Sequence, residues 1–479
     1  MRSSSLLQPA SILLLFLSSL RAQGAVQQRT QTPAEIAETC YDFLESHLCE
    51  GTKWGKSYHF YKPSTEKYTA DQWLWDSGAH MITWSHKNVS NSILDLRTML
   101  QMQLPNGKIP EEIFWQERNA MQEEELKLTW STATNTDITQ MPVLPFSLRA
   151  ILDQAGSADE RDKLLMEFLP PLVRYFKWFR HERDLGDGLV VILHGWESGL
   201  DASPAYDQAY SVNITDLSKV ALAELYPRFE ELVESYKARG WDMSKIMAGA
   251  LPKSKSLDSQ EGRQLGVTTT RFFLKDVAVN SVYAAGWKQL SDLAASSPAL
   301  APTYANDCLA EYKRSAQAIM EKMYDPAVGE FRALWIDGDR IERRSEANTV
   351  QNLFPLLLTD LPEDRMLALA AQLQDPNKFA TSYMVPTVAR DDAHFSATFP
   401  VDLMWRGPVW GFTNWFLIEG LVLHKQDALA NAVLDKWIAL CQKSGIWEHY
   451  NPLTGEPYGA VGLGMSTLIV DFLYRMKRL

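Results

Sequence analysis

The sequence carries no excess of positive charge. Its 47 Lys and Arg are outnumbered by 59 Asp and Glu, giving a formal charge of -12. Phosphate binding needs clustered Lys and Arg, so a nucleic-acid surface is excluded. Docking on anionic lipid is disfavoured for the same reason. Cysteine is scarce, with four in all: Cys40, Cys49, Cys308 and Cys441. Neither a C-x-x-C nor a His-x-x-x-His spacing occurs, which leaves no zinc pattern. Cys40 and Cys49 are near enough in sequence to bridge, whereas Cys308 and Cys441 read equally well as buried thiols. After residue 20 there is no apolar run of about 18 residues, so no membrane span is expected. No Gly/Ser/Pro-rich linker, low-complexity tract or fixed-period repeat is present, which excludes a solenoid.

The long apolar run lies at the N-terminus. Arg2 precedes Ile12-Leu13-Leu14-Leu15-Phe16-Leu17, and Ala22-Gln23-Gly24 follows as a small-x-small cleavage site. Residues 1–24 are therefore expected to be a secretory signal peptide, with an uncleaved anchor as the rival reading. The mature chain, 25–479, is expected to be one domain that is secreted or held in the secretory lumen. Asn88-Val89-Ser90 and Asn213-Ile214-Thr215 then become glycosylation sequons on Asn88 and Asn213.

Hydrophobic residues make up 46% of the chain and charged residues 22%, which permits a large core. Apolar residues recur at helical spacing over 34–48, 79–102, 143–154, 163–182, 217–238 and 277–295. The pattern continues over 305–323, 366–373, 408–424, 428–444 and 466–478. Strand-like runs are confined to 188–193 and 330–336. About ten to twelve evenly spread helices without a repeat predict a closed, all-α array. The distinctive residues fall between the helices, as they do where connecting loops build one pocket. Long polar loops at 251–270 and 387–399 are candidate binding elements.

Sixteen Trp residues are present. Their number alone fits core packing. Their clustering beside acids is more informative. Glycoside hydrolysis usually needs one carboxylic acid to protonate the leaving oxygen and one carboxylate to act on the opposite face. The acid needs a raised pKa, which apolar surroundings supply. His194-Gly195-Trp196-Glu197-Ser198-Gly199-Leu200-Asp201-Ala202-Ser203-Pro204 sets two acids beside a Trp in a turn-rich stretch. Gln72-Trp73-Leu74-Trp75-Asp76-Ser77-Gly78 sets one acid beside two Trp, although Asp76 or Ser77 would also serve as a helix N-cap. Gly445-Ile446-Trp447-Glu448-His449-Tyr450-Asn451-Pro452 places Glu448 between an aromatic and a histidine. Met404-Trp405-Arg406-Gly407-Pro408-Val409-Trp410 adds an arginine, which stays charged and suits either bidentate sugar binding or an ion pair.

These four segments, in this order, resemble glycoside hydrolase family 63 from about Tyr61 to Leu473. Gly107-x-Ile109-Pro110 and Gln140-Met141-Pro142 also match in place. The resemblance implies an (α/α)6 toroid of the six-hairpin glycosidase type, with a loop-built cap over the active site. It implies inverting cleavage of α-glycosides, with Asp201 as general acid and Glu448 as general base. The chain is similar to the family's short members, which hydrolyse mannosylglycerate or glucosylglycerate. Trp73, Trp75, Asp76, Gln140, Trp196, Glu197, Trp405, Arg406, Trp410 and Tyr450 are the expected substrate-binding residues. Glu197 is the rival for the acid role, and Tyr450 and Trp447 are candidates to position the base. The reaction implied needs no metal or organic cofactor, and the partner implied is a small glycoside.

Two features set this chain apart from those members. Ala460-Val461-Gly462-Leu463-Gly464-Met465-Ser466 lacks the aromatics usual after the base segment. Glu123-Glu124-Glu125 makes the 111–134 loop acidic, which would repel a glycerate carboxylate. An α-glucosidase acting on oligosaccharides or on a glycosylated natural product is therefore the alternative activity. A non-catalytic carbohydrate-binding protein, and a helical scaffold for protein partners, are the alternatives outside catalysis. The Gln-Trp-Asp-x-Pro-x-Gly-Trp segment of trehalases is absent.

Overall fold

A computed structural model describes residues 30–479, apart from 69, 131, 185, 210–273, 337–341 and 399–403. The expected signal peptide, the Asn213 sequon, the helix over 217–238 and the loop over 251–270 lie outside the described residues. In chain order the described α-helices are α1 (Pro33–Glu45), α2 (Leu74–Ser85), α3 (Val89–Leu100) and α4 (Ala120–Trp130). They continue with α5 (Leu144–Asp153), α6 (Ala158–Glu182), α7 (Val277–Ala295) and α8 (Asn306–Ala318). The last are α9 (Glu363–Gln374), α10 (Gly411–Leu423), α11 (Asp427–Ser444) and α12 (Ile469–Arg475).

Burial divides these helices into an inner and an outer set. Every residue of α2 is buried, as is α10 from Gly411 to Leu421. A helix buried on all sides needs neighbours on all sides. The inner elements supply them in sequence: α2 packs on α5, α5 on α7, and α7 on the 3-10 helix Val350–Leu357. That helix packs on α10, and α10 on the 3-10 turn Gly464–Leu468, which leads into α12 and returns to α2. Each inner element has an outer partner: α3 on α2, α6 on α5, α8 on α7, α9 on Val350–Leu357 and α11 on α10. The sixth pair joins the chain's two ends, α1 against α12 and its preceding turn. The result is the expected (α/α)6 toroid.

Local sequence explains the boundaries. Thr32 and Glu35 form a capping box at the start of α1, with Pro33 in the first turn. The helix expected over 79–102 is two helices, because Asn88 caps α3 by accepting from the Ser90 N–H. Asn88 is exposed, as a sequon requires. Gly420 lets two inner elements touch, since a Cβ there would lie 2.6 Å from the Leu356 Cβ. The expected strand over 330–336 is two short strands, Glu330–Phe331 and Leu334–Ile336. The run 188–193 contributes only isolated bridges, Asp184 to Val190 and Ile192 to Leu274. The Cys40–Cys49 bridge that their spacing allows is not formed, and all four cysteines are free. Cys40 lies on the buried face of α1, whereas the Cys49 Sγ lies on the flanking strand Leu48–Lys53, 3.7 Å from the His47 carbonyl.

The ring is closed by a buried polar seam. Asp471 of α12 lies 2.8 Å from His86 Nε2, and accepts from Trp415 Nε1 at 2.9 Å and from Arg475 at 2.9 Å. Burial works against its charge, but Arg475 and His86 outweigh burial and hold the Asp471 carboxyl well below the usual range. Arg475 also reaches Glu419 of α10 at 2.7 Å, and Arg149 of α5 donates to the same carboxylate. Four inner elements therefore share one set of charges. Removing a buried partner strands the rest at a cost of about 3–5 kcal/mol. Asp471→Ala is accordingly expected to lower the unfolding free energy from urea titration by that amount, and an unchanged value would show that the seam does not close the ring.

Candidate functional site

The inner helices deliver their N-terminal ends to one end of the toroid, where a cavity of about 340 Å³ opens. Trp73, Trp75 and Asp76 line it from the start of α2, and Gln140 from the approach to α5. Trp405 and Trp410 line it from the approach to α10, with Trp196 and Asp201 from the turn-rich loop. Eight of the expected residues thus share one pocket. Trp73 is the N-cap of α2 and makes no side-chain cap bond, so neither Asp76 nor Ser77 is spent on capping.

The floor is aromatic. Trp405 stacks on Trp410 with centroids 4.0 Å apart and planes 12° apart. Trp75 approaches Trp405 at 6.4 Å. Trp410 meets His449 at 4.9 Å, which links this wall to the strand Trp447–Tyr450. Gly199 fits the acid loop against Trp75. Its φ is 72°, and a Cβ there would fall 2.1 Å from the indole. Only glycine combines that left-handed backbone with that contact.

Four carboxyls line the cavity: Asp76, Glu111, Glu112 and Asp201. Burial pushes Asp76 up to about 8, and the nearby Glu448 adds to the effect. Burial also pushes Glu111 well above the carboxylate range, reinforced by Glu112, Glu197, Asp201 and Asp76. Gln140 connects this cluster to α2, accepting from the Trp75 N–H at 3.1 Å and donating to Glu111 at 3.4 Å. Asp201 is half-buried on the cavity wall.

Glu448 sits just behind the cavity surface and is fully buried. Its strand pairs with Pro457–Val461, and the register shifts between Trp447 and His449. Such an irregularity re-aims the intervening side chain. Lys67 Nζ donates to Oε1 at 2.7 Å and to Oε2 at 2.8 Å. Tyr68 donates its hydroxyl to Oε1 at 2.6 Å, and the Ala460 N–H donates to Oε2 at 2.6 Å. Lys67 and Tyr68 both line the cavity and stand between it and Glu448. The sequence reading missed these two, together with Glu111 and Trp130. Each is a single residue outside the Trp-acid segments, and only the adjacency of Lys67 and Tyr68 to Gln72-Trp73 hinted at a role.

Three expected residues are placed differently. Glu197 is not a cavity residue. It accepts from Arg183 at 2.8 Å, from the Leu193 N–H at 2.8 Å and from the Thr139 N–H at 3.5 Å. With Glu197 and Arg183 each about 1% exposed, this is a structural pair that ties down the loop, and Glu197 drops out as an acid. Arg406 likewise pairs through both terminal nitrogens with Asp207, which anchors the Trp405–Trp410 segment and leaves no free fork for sugar. Tyr450 lies outside the cavity, where its hydroxyl donates to the Gly445 carbonyl at 2.8 Å and accepts from the Trp447 N–H at 2.6 Å. That brace holds the strand that carries Glu448.

A family model for the mannosylglycerate hydrolase MGH1-like glycoside hydrolase domain matches residues 68–466. The chain belongs to this glycoside hydrolase family. The hydrolase is a short member of glycoside hydrolase family 63. It is 26% identical over 424 residues to the mannosylglycerate hydrolase of Thermus thermophilus, covering 84% of this chain and 94% of that protein. It is 25% identical over 421 residues to the glucosylglycerate hydrolase of Mycolicibacterium hassiacum, covering 81% and 88%. The crystal structure of the Thermus thermophilus family 63 enzyme in complex with glucose superposes with a TM-score of 0.71 at 24% identity, over 92% of this chain and all of that one. That last likeness shows the shared fold.

Two outcomes follow from this geometry. Asp76 keeps its proton to about pH 8 in the folded chain, against 3.8 for the free group. Wild-type stability should therefore fall as pH rises through that window, by up to about 1.4 kcal/mol per unit. Asp76→Asn lacks the proton and should gain on wild type from pH 5 to 7.5 in urea titrations; a constant gap would refute the buried neutral acid. Glu197→Gln should cost about 3 kcal/mol by leaving Arg183 unpaired. Unaltered stability there would return Glu197 to the list of candidate acids.

Proposed function

We propose that this hydrolase is an inverting, exo-acting α-glycosidase that frees a terminal α-linked glucose or mannose from a small glycoside. Asp201 protonates the leaving oxygen and Glu448 deprotonates the attacking water. The observation that carries this reading is the pairing of one cavity-wall carboxyl, Asp201, with a second carboxyl, Glu448, held just behind the same cavity. The buried floor of Trp75, Trp405 and Trp410 makes a dead end that suits one terminal sugar. Asp76, neutral near pH 7, both donates to and accepts from sugar hydroxyls. The relatives named for hydrolysis of mannosylglycerate and glucosylglycerate support a small substrate.

The base role sets a requirement on the chain. The lysine ammonium bridges both Glu448 oxygens, where a nucleophilic water has to bind. Lys67 must withdraw from at least one oxygen before water reaches it. Tyr68 and the Ala460 N–H then keep the carboxylate aimed. Burial and the adjacent Glu448 hold the Tyr68 phenol well above its ordinary range, so it remains a donor.

Glycosyl fluorides give the cleanest test, because fluoride leaves without protonation. Glu448→Gln should lose about 10²–10⁴-fold on α-glucosyl or α-mannosyl fluoride and on glycosides alike. Asp201→Asn should lose as much on glycosides but stay close to wild type on the fluoride. Wild-type enzyme should release the β-anomer first, read by proton NMR. Release of the α-anomer, or near-normal glycoside turnover by either variant, would overturn the assignment.

A further inference from the structure

We propose that Trp130 and Trp196 form the leaving-group subsite of this pocket, and that it takes an uncharged ring, a second pyranose, in preference to a glycerate carboxylate. The proposal rests on the α-glycosidase reading and deepens it. Depth orders the pocket. Trp75, Trp405 and Trp410 are 6%, 2% and 2% exposed, whereas Trp130 and Trp196 are half-buried. In a dead-end pocket the terminal sugar occupies the buried end, so the leaving group lies where the wall reaches solvent. Asp201 marks the boundary between them, because it must touch the bond that breaks. Trp196 belongs to the same loop as Asp201, which fixes the subsite next to the acid.

The two indoles come from different elements and meet across the opening. Trp130 closes α4, and Trp196 stands in the 3-10 turn Gly195–Ser198. Their centroids are 6.2 Å apart with planes tilted by 44°. His194 packs edge-on against Trp196 at 4.7 Å, and its Nδ1 accepts from the Trp196 backbone N–H at 3.1 Å. Burial lowers His194 to about 3, so this support stays uncharged. A braced pair of indoles offers apolar faces to the C–H surface of a ring, and glycerate has no ring to stack.

Charge points the same way. Trp130 sits at the C-terminal end of α4, where the helix dipole is negative. Glu112 lines the cavity beside it, whereas Glu111 holds its proton and Asp201 carries one in the proposed acid role. Among the described lining residues the cation is Lys67, which is already engaged with Glu448. Among the described residues, a carboxylate leaving group meets Glu112 and helix carbonyls at this opening and no unengaged cation. A sugar's hydroxyls hydrogen-bond to the same groups.

The test compares kcat/KM on three substrates with one terminal sugar: an α-linked disaccharide, the corresponding glycosylglycerate and the glycosyl fluoride. Wild type should favour the disaccharide over the glycerate compound by about tenfold or more. Trp130→Ala should lose about tenfold on the disaccharide, mainly through KM, and stay within about twofold on the fluoride, which has no leaving group to stack. Trp130→Phe should restore most of the loss, and serves as the check should the alanine variant fold poorly. Preference for the glycerate compound, or equal losses on all three substrates, would overturn the subsite while leaving the α-glycosidase reading intact. Failure of wild type to hydrolyse either fluoride would sink that reading and this proposal with it.

Discussion

The structure depends on closing the ring. Six inner elements are buried on nearly every side, so none of them is stable without both neighbours in place. Closure joins the two chain ends, α1 against α12, and the charges around Asp471 hold α2, α5, α10 and α12 in one arrangement. Once closed, the ring has a direction. The segments that carry Trp73, Gln140, Trp410 and Leu463 all enter inner elements at the same end. The pocket is a consequence of that alignment. Trp73, Gln140, Trp410 and Leu463, far apart in sequence, converge there because each precedes an inner element.

The same alignment explains the electrostatics of the site. Packing indoles around the ends of buried helices removes water from the carboxyls between them. Asp76 and Glu111 respond by holding protons, since several ionised acids cannot share so small and dry a volume. Glu448 is held by three donors, Lys67, Tyr68 and the Ala460 N–H. One pocket therefore contains neutral acids with a fully hydrogen-bonded glutamate behind them.

Much of the ring was legible because outer helices need one apolar face. That period appears in α6, where Leu165, Phe168, Leu169, Leu172 and Phe176 are buried. Two elements left no such trace. The helix α4 is rich in Glu and has no continuous apolar face, so its acidic run read as loop. The 3-10 helix Val350–Leu357 is buried at every position and contains Pro355, which gives neither period nor length. Strand-like runs misled for a related reason: 188–193 is apolar because it lies beneath the acid loop, and it bridges rather than forming a ladder. At the site, tryptophan beside an acid found the cavity wall but did not separate Asp201 from Glu197. Both sit in one loop, and only their placement distinguishes them: Asp201 lines the cavity, whereas Glu197 is held outside it by Arg183 and two backbone N–H groups.

Glu448 raises the sharpest question about how such a site works. A carboxylate with both oxygens hydrogen-bonded and no exposure is well oriented, yet it has nowhere to hold a water. The donors are not equivalent. Ala460 is fixed by its strand, and a Cβ at the neighbouring Gly459 would fall 2.3 Å from Glu448 Oε2, so that side is packed shut. Lys67 and Tyr68 belong instead to the segment between the strand Lys56–Tyr61 and Gln72, whose described residues form no helix or strand, and Lys67 keeps about a third of its side chain in solvent. Access must therefore come from the Lys67 side. Trp75, Trp405 and Lys67 line one cavity, so under the base role proposed for Glu448, substrate entry and uncovering of the carboxylate are coupled through this one side chain.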